Sequence, residues 1–260
     1  MFSDKNFSNN IKMSGVNSIN WARIIAQSVY YFYSYFLVKN ENKLVNFSVP
    51  TGNFGDVYAG YLAKKLGLPI NKLIVATNQN DILHRAISKG NYEAEKVSET
   101  ISPSMDIQIA SNFERLIFDL NKEDGFQTSQ DMKNIKESGK YLISKQKLNT
   151  INENFLSARI SEKETLAIIN SVYEEFNVVI DPHTAIGYGA FDKHNLNGNN
   201  IVLSTAHPSK FPDAIFKAIK TKSDLPSELR YILDEKENYD IIENDVEKIK
   251  QHIKDRIQWK

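Results

Sequence analysis

Short apolar runs alternate with amphipathic segments along this chain. Residues 44–49 and 73–76 are apolar runs of the length of a buried strand. Between them, residues 58–66 have the pattern of a helix, which Gly67 and Pro69 end. A strand, a loop, a helix and a second strand in this order predict a βαβ unit, and therefore a parallel sheet.

The same alternation predicts further elements. Residues 21–38 have the pattern of a helix buried on more than one side, and residues 155–160 and 201–204 that of two further strands. Ser161 followed by Glu164 is the capping-box pattern of a helix start. Helices that alternate with strands predict the α/β class, here a three-layer fold whose parallel or mixed sheet lies between flanking helices.

Three segments lack a clear strand pattern. Residues 92–107 are predicted to be irregular, residues 121–150 to form surface helices and loops, and residues 212–260 to be helical, polar and amphipathic. The sequence contains no internal repeat, low-complexity tract or flexible linker. These segments therefore extend the predicted α/β fold without adding strands to its sheet.

Composition excludes several functional classes. The 260 residues are 41% hydrophobic and 25% charged, which is typical of a globular protein, and the net charge of zero lacks the basic footprint of a nucleic-acid-binding protein. The absence of cysteine excludes disulfides and thiol chemistry. The longest aromatic and aliphatic run, residues 29–38, is far shorter than the roughly 20 residues that span a bilayer. The sequence also lacks metal-ligand spacing and a P-loop. We expect a soluble, cytoplasmic protein without a metal, a nucleic-acid partner or a membrane.

Residues 50–56, with the sequence PTGNFGD, lie between the first predicted strand and the helix that follows. Glycines let an anion approach the main chain, and the free N–H groups of a helix's first turn point at it. The loop is therefore a candidate phosphate site. On the motif alone, a tight turn without a ligand is an equally good interpretation, because short glycine motifs often match by chance.

A second candidate segment, residues 205–208 with the sequence TAHP, follows the predicted strand at 201–204. In parallel α/β sheets, ligands bind beyond the carboxyl ends of the strands. Both candidate segments follow strands, so we expect them to line one crevice.

Seven segments together resemble threonine synthase of the bacterial and fungal type, a pyridoxal-phosphate-dependent enzyme of the fold group that includes tryptophan synthase β. They occur in the family's order and span nearly the whole chain: VNSINWARI at 16–24, SVPTGNFGD at 48–56, VATN at 75–78, SPSMDI at 102–107, SNFER at 111–115, DPHTA at 181–185 and LSTAHP at 203–208.

The resemblance implies a lyase that acts on a carbon–oxygen bond to phosphate in the last step of threonine biosynthesis. O-phospho-L-homoserine and water would give L-threonine and phosphate, with pyridoxal phosphate as the electron sink. Thr205 matches the residue near the pyridine nitrogen, although a strand-end hydroxyl that bonds nearby backbone is a common alternative. The residues that match the cofactor-phosphate loop are Gly52, Asn53, Phe54, Gly55 and Asp56.

Asp56 would repel a phosphate dianion, so we expect its carboxylate to cap the helix or to face away. Four further residues are candidates for the substrate's phosphate: Ser102, Ser104, Asn112 and Arg115. For Arg115, a solvated or ion-paired arginine is the more common outcome. His183 and His207 each lie beside a proline at a strand end, and we interpret both as structural.

The chain departs from the family in one respect. The family's Schiff-base lysine lies in an aromatic-Lys-Asp motif that precedes the matched segments, and no lysine here has that setting: Ala218 follows Phe216-Lys217, and Ile253 precedes Lys254-Asp255. We therefore expect this chain to be a C-terminal portion of the enzyme. We expect it to be inactive alone and to have the missing N-terminal part as its partner.

Within such a portion we predict a helical segment at 1–40, a cofactor-binding α/β domain at 41–215 and a helical extension at 216–260. Two alternatives stay open. One is a non-catalytic pseudoenzyme that binds a phosphorylated metabolite or a partner subunit. The other is a member of the same fold group with a different amino-acid substrate.

Overall fold

Four strands form one parallel sheet in the computed structural model, which describes residue 1 and residues 3–38 and 44–257. The strands are β1 Val45–Pro50, β2 Ile70–Thr77, β5 Phe155–Arg159 and β6 Asn199–Val202, in the spatial order β5-β2-β1-β6. All three strand pairs are parallel, so the predicted α/β class with a parallel sheet is confirmed.

Helices surround this sheet in the unit that comprises Ser18–Asp224. They are α2 Trp21–Val38, α3 Gly55–Lys65, α4 Ile82–Lys89, α5 Phe113–Leu120, α6 Gly125–Ser138, α7 Lys145–Asn154, α8 Glu162–Phe176, α9 Pro182–Asp192 and α10 Pro212–Ile219.

Alternating residues of the central strands face two different helix layers. Phe47 of β1 and Val75 of β2 belong to the core that contains α3. Their neighbours in sequence face α9: the Ser48 hydroxyl donates to the Gly187 carbonyl at 2.6 Å, and Ile74 packs with Ile186. Because both faces of a central parallel strand are covered, β1 is buried at every position, including the polar residues Asn46 and Ser48. The fold is therefore three-layered, as predicted.

Three elements differ from the sequence prediction. Asn91–Glu93 and Lys140–Leu142 form a short antiparallel pair, β3 and β4, where only irregular or surface structure was predicted. Three-residue strands are too short to show a period of two. The helix predicted at 58–66 begins at Gly55, because Phe54 adopts a left-handed conformation that turns the chain directly from the loop into α3.

The two chain ends form the second unit, Met1–Asn17 and Leu225–Lys260, of which residues 2 and 258–260 are not described. It contains α1 Lys5–Asn10, a 3₁₀ turn at Ser227–Leu233 and α11 Val246–Arg256. The segment predicted to be helical, residues 212–260, contains helices with non-helical chain between them, since Lys220 ends α10 in the left-handed conformation and Pro226 precedes the 3₁₀ turn. The predicted domain limits stay a prediction, and the limit at residues 40 and 41 lies outside the described residues.

The helices give no sign of a membrane span: across the described part of the chain, none combines the length and apolar character that crossing a bilayer requires.

Candidate ligand site at the ends of two parallel strands

The loop at residues 51–56 leaves the carboxyl end of β1 and is held on both sides by buried contacts. Thr51 N–H donates to the Ala76 carbonyl of β2 at 2.8 Å. Phe54 is 1% exposed, and its ring packs on the rings of Phe113 and Phe155 at centroid distances of 5.3 and 5.8 Å. Phe54 has φ 64° and ψ 4°, a conformation unfavourable for a side chain larger than hydrogen, which this packing maintains.

The main-chain N–H groups of residues 52–56 donate no hydrogen bond to any other described residue. These groups form the entry to α3 and its first turn, where the helix dipole favours negative charge. Phe54 precedes the helix without a side-chain cap. The loop thus presents several main-chain donors that have no partner among the described residues. Such an arrangement at a helix N-terminus is suited to bind an oxyanion.

Gly52 must lack a side chain because the loop lies against Ser104. A Cβ built on Gly52 would lie 2.3 Å from the Ser104 carbonyl oxygen, which is main chain and is not free to rotate away. The loop is also tied from the other side, since the N–H and the Nδ2 of Asn112 donate to the Asn53 carbonyl at 3.0 and 3.1 Å. These contacts fix the peptide groups that carry the free donors.

Asp56 does not cap α3. Its carboxylate accepts hydrogen bonds from the hydroxyls of Tyr30 and Tyr31 in α2, at 2.5 and 2.8 Å. Burial raises the pKa of Asp56, and the two tyrosine hydrogen bonds partly offset that rise. Of the two expected orientations, a helix cap or a carboxylate that faces away, the helix cap is not observed, because these hydroxyls bind the carboxylate instead. A raised pKa and two donors reduce the repulsion that Asp56 exerts on an anion at the loop.

The loop opens onto a cavity of about 280 Å³. Thr205 and Ala206, which follow β6, line the same cavity, so the expected shared crevice of the two candidate segments is confirmed. Thr205 is exposed, and its hydroxyl has no hydrogen-bond partner in the described parts of the chain. Besides the loop at residues 50–56, Thr205 and Ala206, the lining contains Ser18, Arg23, Gln27, Ser104, Met105, His183, Lys210 and Phe211.

His183 also reaches this cavity, from the first turn of α9. Its Nδ1 lies 2.9 Å from Oδ1 of Asp181, the N-cap of that helix, and its Nε2 is buried without a hydrogen-bond partner among the described residues. Burial by itself would raise the pKa of Asp181, but hydrogen bonds from His183 and Thr184 outweigh it and hold that pKa below its usual value.

The four candidates for the substrate's phosphate do not all lie together, although Arg115 Nε donates to Asn112 Oδ1 at 3.0 Å. Only Ser104 lines the cavity. Ser102 is 1% exposed and accepts from Asn78 Nδ2 at 2.9 Å. Arg115 lies at a different surface, where its guanidinium donates to the Ile19 carbonyl at 2.9 Å and stacks 5.0 Å above the Trp21 ring.

Ser102 belongs to a cluster that we call the Asp106 network, formed by Asn78, Asn80, Thr100, Ser102 and Asp106. Asp106 Oδ1 accepts from Asn78, Asn80 and Thr100 at 2.8, 2.9 and 2.7 Å, and its Oδ2 accepts from the Thr100 N–H at 2.8 Å. The network joins residues 98–106 to the end of β2, and its polar groups are paired with one another.

Sequence reasoning did not assign Arg23, His183 or Lys210 to the cavity. Two of them lay within segments of the family resemblance, at 16–24 and 181–185. The signal available was Asp181 two residues before His183 at a helix start, a spacing that lets a capping carboxylate also bond an imidazole. Lys210 had no sequence signal.

The fold defines a class, the α/β proteins with a parallel sheet, and the loop at the end of β1 has the arrangement that suits an oxyanion at a helix N-terminus. The pyridoxal 5'-phosphate-dependent aspartate racemase has this fold at 11% identity and a TM-score of 0.53, over 81% of this chain and 58% of that chain. At that identity the likeness shows the fold alone.

More specific comparisons give the family. The family model described as "Threonine synthase, C-terminal" matches residues 184–253. Threonine synthase of Pseudomonas aeruginosa is 42% identical over 251 residues, which are 95% of this chain and 54% of that protein. The pyridoxal-phosphate-bound threonine synthase of Brucella melitensis superposes with a TM-score of 0.94 at 44% identity, over 98% of this chain and 55% of that one. The chain belongs to the threonine synthase family and spans about half the length of these relatives.

Proposed function

We propose that this chain forms the cofactor-phosphate part of a threonine synthase active site. In this proposal, the reaction converts O-phospho-L-homoserine and water into L-threonine and phosphate, and the cofactor is pyridoxal 5'-phosphate. The observation that carries the proposal is the row of unpaired main-chain N–H groups at residues 52–56, which faces a cavity also lined by Thr205.

The residues of the cavity fit a phosphate monoester. Main-chain N–H groups of a helix start donate to phosphate oxygens, and Arg23 and Lys210 add positive charge to the lining. Asp56 is the carboxylate of the lining, and its hydrogen bonds come from Tyr30 and Tyr31. A side chain at Gly52 would push the loop away from Ser104. The absence of a side chain at Gly52 therefore keeps the loop in the position in which its N–H groups line the cavity.

Bound pyridoxal phosphate supplies the electron sink for chemistry at the substrate's carbon atoms. The main chain at residues 52–56 holds the phosphate and so positions the ring, and we assign Thr205 to the pyridine nitrogen. A neutral hydroxyl donates to an unprotonated ring nitrogen, whereas a carboxylate would favour the protonated ring. Ser104 is the predicted substrate contact that this geometry supports, because it lines the same cavity.

The chain carries no lysine in the aromatic-Lys-Asp setting of the family. We therefore propose that it does not complete the reaction alone, and that a polypeptide equivalent to the other half of its relatives supplies the lysine. In that arrangement this chain binds and orients the phosphate group, while proton transfer at the substrate's carbon atoms depends on the lysine.

The test of cofactor binding uses a ligand without an aldehyde, because an aldehyde also reacts with surface lysines. Isothermal titration of the full chain with 4'-deoxypyridoxine 5'-phosphate, against 4'-deoxypyridoxine as the matched control, isolates the phosphate contribution. We expect the phosphorylated ligand to bind at least tenfold more tightly. Equal affinity for both ligands would contradict the assignment of the loop.

The test of the reaction mixes the full chain with the part of the Pseudomonas aeruginosa enzyme that precedes the matched region. Phosphate release from O-phospho-L-homoserine by the mixture, and not by either component, is the expected result. Binding without release under any pairing would favour the pseudoenzyme interpretation. Activity on serine or threonine instead would assign a different substrate to the same fold.

A further inference from the structure

The His183 imidazole is hydrogen-bonded at Nδ1 and unpaired at Nε2 among the described residues. The side chain is 4% exposed, and its ring packs on Phe211 at a centroid distance of 5.0 Å. Nδ1 lies 2.9 Å from Oδ1 of Asp181. His183 lines the cavity, and its Nε2 is buried and has no hydrogen-bond partner in the chain as described. A buried polar atom without a partner is unfavourable, so a ligand atom beside Nε2 would relieve this loss.

Asp181 determines which ring nitrogen carries a proton. Its carboxylate accepts from the N–H groups of His183 and Thr184 at 2.9 and 3.3 Å, and from the Thr184 hydroxyl. A carboxylate bonded in this way remains ionised and only accepts hydrogen bonds, so Nδ1 of His183 must donate. The Nε2 atom is then the end of the ring that meets a ligand.

The surroundings of Nε2 favour an anion. The N–H groups of the loop, Arg23 and Lys210 contribute positive charge or donors to the same cavity. The carboxylate of Asp56 accepts from two tyrosines and has a raised pKa. An imidazole that already donates to Asp181 through Nδ1 can donate to a ligand only when Nε2 also carries a proton.

We propose that His183 binds an oxygen of a phosphate monoester through Nε2–H, with Asp181 as the residue that positions its ring, and that this binding takes up a proton. The inference deepens the proposed function, because it concerns the same cavity, and it assigns His183 a ligand in place of the structural role that the sequence suggested. Phosphate monoesters are present both in the cofactor and in the substrate of the proposed reaction, so the source is settled by the order of addition.

The probe for proton uptake is inorganic sulfate, because its charge stays constant between pH 6 and 8 whereas a phosphate's does not. The charged or titratable groups around His183 are Asp181 on its own helix, Arg23, Asp56 and Lys210. We expect sulfate to bind the full chain at least fivefold more tightly at pH 6 than at pH 8. The Nε2 resonance of His183 should move on binding to the position of a protonated, hydrogen-bonded nitrogen.

Three variants separate a ligand contact from a structural role. His183→Gln keeps a donor near the Nε2 position but does not titrate, so we expect it to retain the pH 8 affinity within threefold and to lose the pH dependence. His183→Leu should bind sulfate at least tenfold more weakly at pH 6. His194→Gln is the matched control, since His194 bonds the Ser157 carbonyl outside the cavity, and it should behave as the parent chain.

The order of addition identifies the phosphate. A His183 shift with 4'-deoxypyridoxine 5'-phosphate alone assigns the contact to the cofactor, and a shift only when O-phospho-L-homoserine follows assigns it to the substrate; either result supports the inference. If the phosphorylated ligand binds the loop while the His183 resonance and the pH dependence stay unchanged, the inference is overturned and the proposed function stands. If neither phosphorylated ligand binds while sulfate still moves the His183 resonance, the proposed function and the inference both fail, because the cavity then takes an inorganic oxyanion and not a phosphate monoester.

Discussion

Two polar regions lie beyond the carboxyl ends of neighbouring strands, and they differ in how their hydrogen-bonding groups are used. Beyond β2, the Asp106 network pairs its donors with acceptors inside the protein. Beyond β1, the main-chain donors of residues 52–56 have no partner among the residues that the structure describes, and the same holds for Nε2 of His183, a residue that lines the same cavity. The first region is closed and holds the fold together, whereas the second is open and suited to a ligand.

This difference shows that the type of a residue at a strand end does not tell whether the residue binds a ligand or stabilises the fold. Ser102 and Ser104 are two residues apart and chemically identical, yet one lies in the closed network and the other in the open cavity. Pairing decides the role, because a satisfied polar group adds stability while an unsatisfied one is unfavourable until a ligand arrives.

The largest effect should come from breaking the closed region. In Asp106→Ala, the amides of Asn78 and Asn80 and the hydroxyl of Thr100 lose their shared acceptor. We expect the free energy of unfolding to fall by about 3 kcal/mol, measured by urea denaturation, because buried donors are left without partners. The exposed Asp234→Ala is the control and should change it by less than about 0.5 kcal/mol. Equal losses in both variants would remove the distinction between the two regions.

Gly52→Ala should damage the open region with a smaller effect on stability. The new Cβ would lie 2.3 Å from the Ser104 carbonyl, so the loop must shift. We expect a loss of about 2 kcal/mol, typical of overpacking, and at least tenfold weaker binding of 4'-deoxypyridoxine 5'-phosphate by calorimetry. Gly125→Ala, where a Cβ would meet no atom within 4 Å, should preserve both quantities. Parent-like binding by the Gly52 variant would contradict the role of the loop.

Two serine variants compare the closed and the open region at positions only two residues apart. Ser102→Ala removes a hydroxyl that accepts from Asn78, and we expect it to lower the free energy of unfolding by about 1 kcal/mol without changing ligand affinity. Ser104→Ala should leave stability within about 0.5 kcal/mol, because the side chain is exposed at the cavity. The account is wrong on this point if Ser102→Ala weakens binding more than Ser104→Ala does.

We expect the smallest effect on stability at the capping box of α8, whose hydrogen-bonding groups are paired with one another at the surface. Hydrogen bonds from the Ser161 hydroxyl and N–H, with Lys193 nearby, lower the pKa of Glu164 to about 2. Because this pKa is lower in the folded protein than in the unfolded chain, the stabilisation is present above about pH 4.3 and is lost as the pH falls toward 2.

Glu164→Gln should therefore lower the melting temperature at pH 7 and have progressively less effect as the pH falls from 5 to 3. The exposed Glu237→Gln serves as the control. A difference between Glu164→Gln and the parent chain that grows as the pH falls would contradict the direction of this linkage.

The sequence predicted most of the fold because its strands and long helices are strongly patterned. Helix α2 and the four parallel strands were found by apolar runs and periodicity, whereas the three-residue strands β3 and β4 were missed because they are too short to show a pattern. The start of α3 was placed late, because the left-handed conformation of Phe54 depends on the burial of its ring by residues distant in sequence.

The parts of the candidate site that depend on local sequence were predictable. The parts that depend on contacts between residues distant in sequence were not. A glycine loop between a strand and a helix is visible in sequence, and it lies at the cavity together with Thr205. The burial of Ser102 and the separate location of Arg115 follow from contacts with Asn78 and Trp21, which no local pattern encodes. The same holds for His183, whose unpaired Nε2 emerges only when its surroundings are known.

The central claim is that the unpaired N–H groups of residues 52–56 bind the phosphate. The most direct measurement is a ¹H–¹⁵N NMR titration of the full chain with 4'-deoxypyridoxine 5'-phosphate, read at these amides and at the Thr100 amide of the Asp106 network. The account predicts downfield shifts of the loop amides that saturate with the ligand, while the Thr100 amide, already bonded to Asp106, stays in place. Loop amides that do not move while the ligand binds would contradict it.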